Sequence, residues 1–368
     1  MKTVLLTSLF HSKRLQEPPP IISLALLLFI EMGPAPYKAF NPVRDLPGMK
    51  GKVIIVTGSS SGIGFAILQH LCRLGAKVYM TARSESRAKA AMERLEKEGK
   101  GPGNGEVLWH QLDLVDPRKA KESAEKFMKR SKRWTFSLTM LHSDSGNPSM
   151  NPDGIQGTMA VNYLGTYVFT QTLLPLLEKT AETGADARLI NVHPIAAVLY
   201  SQLIKRGIIP SAGPYYQRFH AMILLQISLT RLDKLSSWAI DRQELEGAIM
   251  SDGAISNLRS LPFLNFWIWV LGTMMHAQEM RGYAPAFAAC APRADADANA
   301  IPSPAPSNSE TKSQGFKPNP HIIHGAYIVL PNKKDDQGST AMDPEKQNAL
   351  EACTRAFLQK IGLKVNVT

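Results

Sequence analysis

The sequence predicts a single-domain α/β fold, a doubly wound parallel sheet of about seven strands with helices on both faces. One observation is the apolar run Val53–Val56, which stops at a glycine-rich turn that opens directly into a helix. A second is that later apolar runs alternate with helical segments, as in parallel sheets whose crossovers are helices. A third is the 44% of hydrophobic residues in 368, which suffices to bury the core of one extended domain.

Composition narrows the classes of function. The three cysteines, Cys72, Cys290 and Cys353, have no paired spacing. Neither a disulfide framework nor a metal site is therefore predicted, and a reducing, cytoplasmic compartment is expected. The formal net charge of +11 is scattered, with no basic block interleaved with aromatic residues. This distribution argues against a nucleic-acid partner.

The first 48 residues are predicted to form an N-terminal arm. Pro18 to Pro20 interrupts any helix, and Ile21 to Ile30 is mostly apolar. A spanning helix needs about 20 apolar residues, so this run is too short to cross a membrane. Two alternatives stay open, a peripheral anchor on the cytoplasmic face of an internal membrane and an arm packed on the domain. A signal peptide is a third, against which stands the lack of a clear small-x-small cleavage site.

The glycine-rich turn is the principal candidate site. Its glycines follow the spacing Gly-x-x-x-Gly-x-Gly, which lets main chain approach a phosphate closely and points N–H groups of the helix start at it. The run TGSSSGIG from Thr57 to Gly64 resembles the TGxxxGIG signature of the short-chain dehydrogenase/reductase family. The alternative is a tight turn with a structural role only. The resemblance implies cofactor contacts at Gly58, Ser60, Gly62, Ile63 and Gly64.

Arg83 indicates which dinucleotide binds. The helix after the turn is predicted to end at Gly75, and Lys77 to Thr81 is predicted as the second strand, with Arg83 just beyond it. In dinucleotide-binding folds an acid at this place bonds the ribose 2′-hydroxyl, whereas an arginine accommodates a 2′-phosphate. The sequence therefore favours NADP (NADPH) over NAD. The alternative is that Arg83 is a solvated residue at a strand end.

Asp113 is the last candidate cofactor-binding residue in the first half of the domain, which we call the cofactor half. A charged helix from Glu85 to Lys97 and a third strand from Val107 to Leu112 precede it. The resemblance implies that Asp113 bonds the adenine amino group. An Asp after a strand is also a common helix cap.

The catalytic half departs from the family's pattern. Where the family has Asn-Asn-Ala-Gly, Ser143 to Gly146 keeps only the glycine. Asn162 matches the family's helix asparagine, which holds a water in a proton relay; it can equally be a satisfied buried amide. Arg188 to Val192 is predicted as the fifth strand, and His193-Pro194 follows where the family has two serines. The hydroxyl that positions the substrate carbonyl is thus absent unless His193 supplies a contact.

The family's Tyr-x-x-x-Lys motif places both side chains on one helix face. Two registers match it, Tyr215 with Phe219 and Tyr216 with His220, and the flanking residues favour Tyr215. A lysine ammonium about 4 Å away is worth about 4 kcal/mol at an effective dielectric near 20. Without it Tyr215 is a poorer base, although carbonyl reduction needs only a protonated donor. The alternative is that both tyrosines are packing residues.

The remaining elements complete the fold. The sixth strand is predicted within Glu246 to Leu258. The apolar run from Pro262 to Ala277 stands where the family carries a substrate lid, so a hydrophobic wall is predicted, with membrane contact as the alternative. Arg281 to Pro292 and Ala326 to Pro331 resemble the last helix and strand, and Asp343 to Ile361 is predicted as an amphipathic helix.

The predicted organisation is an N-terminal arm (1–48), a dinucleotide-binding catalytic domain (49–292), a disordered insertion (293–320) and the C-terminal strand and helix of the same domain (321–368). The chain resembles most the fungal, retinol-dehydrogenase-like branch of the family. The resemblance implies an NADP(H)-dependent oxidoreductase acting on a hydrophobic carbonyl or alcohol, with Tyr215 as acid/base, and by analogy a homo-oligomer. The alternative is a catalytically dead relative that keeps a cofactor-binding or scaffold role.

Overall fold

The structure, a computed structural model, describes residues 40–131, 136–140, 150–183, 185–192, 239–243, 282–291, 327–330, 333–335 and 343–365. The strands are β1 Val53–Val56, β2 Lys77–Ala82, β3 Val107–Gln111, β4 Phe136–Met140, β5 Arg188–Val192, β6 Ala239–Gln243, β7 Tyr327–Leu330 and β8 Lys333–Asp335. The helices are α1 Pro42–Asp45, α2 Gly62–Arg73, α3 Glu85–Glu98, α4 Pro117–Arg130, α5 Thr166–Glu182, α6 Tyr283–Cys290 and α7 Pro344–Lys360. A helical turn, Gly157–Met159, and a π-helical segment, Ala160–Gly165, lead into α5.

The strands form one sheet in the order β3-β2-β1-β4-β5-β6-β7-β8. Every pair from β3 to β7 is parallel, and β8 alone runs antiparallel, against β7. The chain first moves outward from β1 to β3 and then returns to the other side of β1. The direction of winding therefore switches between β1 and β4, and in such sheets ligands bind beyond the carboxyl ends of the strands at this switch point.

Helices cover both faces of the sheet, and β1 shows how its residues divide between them. Ile54 and Val56 are fully buried in a core cluster that includes residues of α2, α3 and α6. Ile55 points the other way, into a second cluster that includes residues of α4, α5 and α7. The alternation follows from the period-2 geometry of a strand, and it makes β1 apolar on both faces.

The C-terminal helix α7 is attached to the α5 side by buried polar groups. The Tyr167 hydroxyl donates to Glu351 Oε1 over 2.8 Å, and Arg355 Nε donates to the same oxygen over 2.7 Å. The hydroxyls of Tyr163 and Thr354 are also hydrogen-bonded to each other. Burial and the neighbouring Glu351 carboxylate raise the pKa of Tyr167, so the phenol stays protonated as a donor. Leu358 adds an apolar contact in the second cluster.

The predicted doubly wound parallel sheet with helices on both faces is confirmed, and so are the elements around the turn. The predicted fifth strand, last helix and C-terminal helix are also found, and the predicted last strand is β7, although β8 follows it. The count of about seven strands is not confirmed, because the described residues contain eight. The placement of the sixth strand within 246–258 is wrong: the strand paired with β5 is Ala239–Gln243. In the part of the chain that the structure describes, no helix is both long and apolar enough to cross a membrane.

Candidate cofactor-binding site

The candidate site lies at the carboxyl ends of three neighbouring strands. The turn that starts at Thr57 follows β1, Arg83 follows β2, and Asp113 comes two residues after the end of β3. Because these strands are parallel and adjacent in the order β3-β2-β1, their carboxyl ends meet at one edge of the sheet. The structure thus brings the predicted residues of the cofactor half to one edge, beside the switch point between β1 and β4.

The backbone of the turn requires its glycines. Gly58 and Gly62 have φ angles of 60° and 58°, in the left-handed region that residues other than glycine rarely adopt. A Cβ on Gly64 would lie 2.5 Å from the carbonyl oxygen of Gly58, so the first turn of α2 can approach the loop this closely only without a side chain. A Cβ on Gly62 would meet nothing within 4 Å, so main chain borders open space there.

The start of α2 has the character of an anion site. Ser61 is the N-cap residue of this 12-residue helix, and its side chain makes no capping bond to the helix. The first turn of a helix carries N–H groups without intrahelical partners and the positive end of the helix dipole. Ser60 is half-buried, and half-buried Ile63 packs against the first core cluster. The arrangement fits the phosphates of a dinucleotide.

Arg83 lies exposed at the end of β2. Its guanidinium makes no ion pair or hydrogen bond with the residues that the structure describes. It stands directly before Ser84, the N-cap residue of α3, whose side chain makes no capping bond. A guanidinium beside a helix start that has no partner in the described part of the chain is suited to bind a second anionic group.

Both carboxylate oxygens of Asp113 contact other residues of the protein. Its Oδ1 accepts a hydrogen bond from the Val115 N–H over 3.1 Å, and Oδ2 lies 3.5 Å from Lys119 Nζ. The first bond fixes the loop that follows β3, as a turn-forming Asp does. A structural role is therefore visible, and the contact with adenine stays a prediction.

Asn162 lies in the π-helical segment before α5 and is 3% exposed. Gly165, at the end of this segment, packs against the main chain of Leu114 so closely that a Cβ would clash. The segment is therefore held against the loop that follows β3, close to Asp113. Single π-helical turns are frequent at functional sites because they displace main-chain groups from the regular ladder. The role of Asn162 in a proton relay stays a prediction.

Tyr215, Phe219, His220, His193 and Pro194 lie outside the described residues. The same holds for Ser143 to Gly146, for the apolar run 262–277 and for the segment 293–320.

Ser59 was not singled out from the sequence, and the structure shows it built into the site. It is fully buried, its Oγ donates to the Val56 carbonyl over 2.7 Å, and it accepts from the Thr81 N–H over 3.1 Å. The only signal in the sequence is the run Ser59 to Ser61, in which three hydroxyls are locally equivalent. Only the packing of β2 against the turn distinguishes the buried one.

A separate cleft of about 340 Å³ starts at Gly62 and runs between α2 and α3. Its polar lining is paired within the protein: Glu98 accepts from Gln69 Nε2 over 3.2 Å and from Arg94 Nε over 2.6 Å. The Arg94 guanidinium also lies 4.2 Å above the centre of the Phe65 ring. These contacts tie α3 to α2, so the lining has a structural function.

Sequence comparison gives several relatives with a common family name. Residues 52–203 match the family model described as short chain dehydrogenase. A short-chain dehydrogenase/reductase of Armillaria gallica is 34% identical over 265 residues, which cover 67% of this chain and 81% of that protein. An uncharacterised oxidoreductase of Schizosaccharomyces pombe is 32% identical over 215 residues, 54% of this chain and 60% of that protein. A short-chain dehydrogenase/reductase of Pyricularia grisea is 36% identical over 156 residues, 42% of this chain and 64% of that protein.

Solved structures share the fold at low sequence identity. L-sorbose reductase of Gluconobacter frateurii, in complex with NADPH and L-sorbose, superposes with a TM-score of 0.53 at 15% identity, covering 77% of this chain and 97% of that one. An uncharacterised protein of Mycobacterium paratuberculosis superposes with a TM-score of 0.55 at 15% identity, covering 88% of this chain and 98% of that one. These likenesses establish a common fold.

Proposed function

The chain belongs to the short-chain dehydrogenase/reductase family, and from this premise we propose that it is an NADP(H)-dependent oxidoreductase. It transfers hydride to or from a hydrophobic carbonyl or alcohol. The observation that carries the proposal is the pairing, at one sheet edge, of the glycine-rich turn with an exposed Arg83 that has no partner among the described residues. The named oxidoreductases among the relatives and the NADPH complex among the structural neighbours support the same class.

The residues of the turn fit the pyrophosphate of a dinucleotide. Gly62 offers main chain next to open space, and Gly64 lets the start of α2 approach the loop. Gly58, Ser60 and Ile63 supply the rest of the cradle. Anionic oxygens are stabilised there by main-chain N–H groups and by the helix dipole, without a basic side chain in the turn itself.

Arg83 gives the preference for NADP. A 2′-phosphate placed beyond β2 pairs with the guanidinium, whereas the 2′-hydroxyl of NAD leaves that charge without an anion. The sequence Thr81-Ala82-Arg83 offers no carboxylate to accept a bond from the 2′-hydroxyl. Asp113, beyond the neighbouring strand, would bond the adenine amino group, a contact that both cofactors share.

The reacting groups come from the other half of the chain. A bound NADP(H) would supply the hydride donor or acceptor through its nicotinamide ring. In carbonyl reduction the Tyr215 hydroxyl gives its proton to the carbonyl oxygen, and a water held by Asn162 passes a proton back to the resulting phenolate. A protonated phenol is the form required in this direction, so reduction tolerates phenylalanine in place of the family's lysine better than oxidation does. The apolar run 262–277 supplies the wall for a hydrophobic substrate.

A fluorescence titration of the purified protein with NADPH, and in parallel with NADH, tests the proposal. We expect tight NADPH binding, weaker NADH binding, and a loss of NADPH affinity of about tenfold or more in Arg83→Glu, because the new carboxylate repels the 2′-phosphate. Lys129→Glu is the matched control, since it reverses an exposed charge at the end of α4. Binding of neither cofactor by the wild type overturns the proposal.

A second candidate function is a catalytically dead relative that keeps cofactor binding or a scaffold role. Pro194 and Phe219, at the family's serine and lysine positions, favour it because neither side chain can position a carbonyl or lower the pKa of a phenol. Cofactor binding without turnover on any apolar ketone or aldehyde is the result that selects it.

A further inference from the structure

The Ser59 hydroxyl is a bridge between the turn after β1 and the end of β2. It donates to the Val56 carbonyl over 2.7 Å and accepts from the Thr81 N–H over 3.1 Å. Both residues are buried, with exposed fractions of 0% for Ser59 and 2% for Thr81. The Thr81 hydroxyl adds a longer bond to the same Val56 carbonyl, over 3.3 Å.

The bridge joins β1 and β2 just beyond the last residue pair of the two strands. The last residue pair between β1 and β2 is Val56 with Met80. Thr81 is the next residue of β2, and the chain of β1 has already turned away into Gly58. A side chain thus takes the place of a missing strand residue, and it satisfies a buried N–H that would otherwise lack an acceptor.

Arg83 is two residues beyond this bridge, and the segment before it is held from the other side as well. The Ala82 carbonyl accepts from the Leu112 N–H over 3.3 Å and from Trp109 Nε1 over 3.4 Å. The main chain before Arg83 is therefore held on both sides. Ser59 of the turn bonds it on one side, and the end of β3 bonds it on the other. Ser59 is the link that relates Arg83 to the phosphate-binding turn.

We propose that Ser59 is a positioning residue for cofactor discrimination: it sets the place of Arg83 relative to the turn, and so aligns the 2′-phosphate site with the pyrophosphate site. This inference rests on the proposed function. NADPH uses both sites at once, whereas NADH uses only the turn. Loosening the bridge therefore weakens NADPH binding more than NADH binding.

The test compares dissociation constants for NADPH and NADH, measured by fluorescence titration, in wild type, Ser59→Ala and Ser59→Cys. We expect Ser59→Ala to lower the NADPH-to-NADH affinity ratio about fivefold or more. Ser59→Cys, whose thiol is a weak donor and acceptor, gives an intermediate ratio and carries the test if Ser59→Ala does not fold.

Ser123→Ala is the matched control. Ser123 is also a buried serine, and its Oγ donates to the Gln111 carbonyl over 2.6 Å and lies 2.9 Å from His110 Nε2. The loss of its hydroxyl destabilises the fold, but Ser123 lies in α4 and contacts β3, so the affinity ratio stays at the wild-type value. A ratio lowered as much in this control as in the Ser59 variants indicates general destabilisation and overturns the inference.

The possible failures are distinguishable. A wild-type affinity ratio retained in the Ser59 variants overturns the inference alone and leaves the proposed function standing. A wild type that binds neither cofactor overturns the proposed function and this inference with it.

Discussion

Arg188, the first residue of β5, donates a hydrogen bond from Nη1 to the carbonyl oxygen of Ala288, 2.5 Å away in the last turn of α6. Its Nη2 donates to the Ala291 carbonyl over 2.7 Å, and Asp186 pairs with the same guanidinium. Arg188 is 3% exposed. A buried cation thus caps the carbonyl end of α6, where the helix dipole favours positive charge.

Replacing Arg188 by methionine is expected to destabilise the protein by about 3 kcal/mol. The substitution keeps an unbranched side chain but leaves two buried carbonyls without donors and Asp186 without its partner. Urea unfolding measures the change. Arg87→Met, at an exposed position of α3, is the control and should stay within about 0.5 kcal/mol of wild type. An unchanged midpoint for Arg188→Met would contradict the role of the guanidinium in the core.

Gly64→Ala is expected to lower NADPH affinity by about tenfold or more and to destabilise the fold. Its Cβ would meet the Gly58 carbonyl at 2.5 Å, so either the turn or the start of α2 must move and the phosphate cradle opens. Isothermal titration with NADPH measures the affinity. Gly48→Ala is the control, because there a Cβ makes only an ordinary contact, 3.9 Å from the Leu74 carbonyl. Equal affinity in both variants would show that the turn adapts.

His110 makes stability depend on pH. Burial lowers the pKa of His110 to about 4, and its Nε2 lies 3.1 Å from the Ser123 carbonyl. Because the folded pKa lies below the unfolded value of about 6.5, the unfolded state binds more protons between these values. The stabilisation is fully present above pH about 6.5 and is lost as the pH falls toward 4.

His110→Gln removes this titration. At about 1.4 kcal/mol per pH unit, titration of His110 is expected to lower the free energy of unfolding of the wild type by about 2 kcal/mol between pH 7 and pH 5. The variant is expected to lack this loss. Urea unfolding at both pH values, for both proteins, measures the difference. Parallel losses of stability in the two proteins would mean that other groups carry the pH dependence.

Restoring the family's residues in the double variant Pro194→Ser with Phe219→Lys is expected to raise turnover of an apolar ketone with NADPH by about tenfold or more. The serine hydroxyl positions the carbonyl, and the lysine ammonium lowers the pKa of Tyr215. Stopped-flow or steady-state NADPH oxidation measures the rate. Adding Tyr215→Phe to the double variant should abolish the gain. If the double variant shows no gain, the residues at these two positions do not limit turnover.

The local order of the chain determines much of this protein. The strand Val53–Val56, the glycine turn and α2 follow from one continuous stretch, because a short apolar run, left-handed glycines and a helix start are all set by neighbouring residues. The placement of Arg83 and Asp113 after β2 and β3 follows in the same way. Since all these strands are parallel, their carboxyl ends must share an edge.

Tertiary structure decides what depends on distant partners. The sixth strand, Ala239–Gln243, has no apolar run to mark it, and its position is defined by pairing with β5. Ser59 and Ser60 are equivalent in sequence, and only contact with Thr81, 22 residues away, buries one of them. Arginine side chains are mostly exposed in proteins, yet the carbonyls of Ala288 and Ala291, about 100 residues on, hold Arg188 in the core. Local propensity determines most of the elements, whereas packing between remote segments determines where β6 lies and which polar groups are buried and paired.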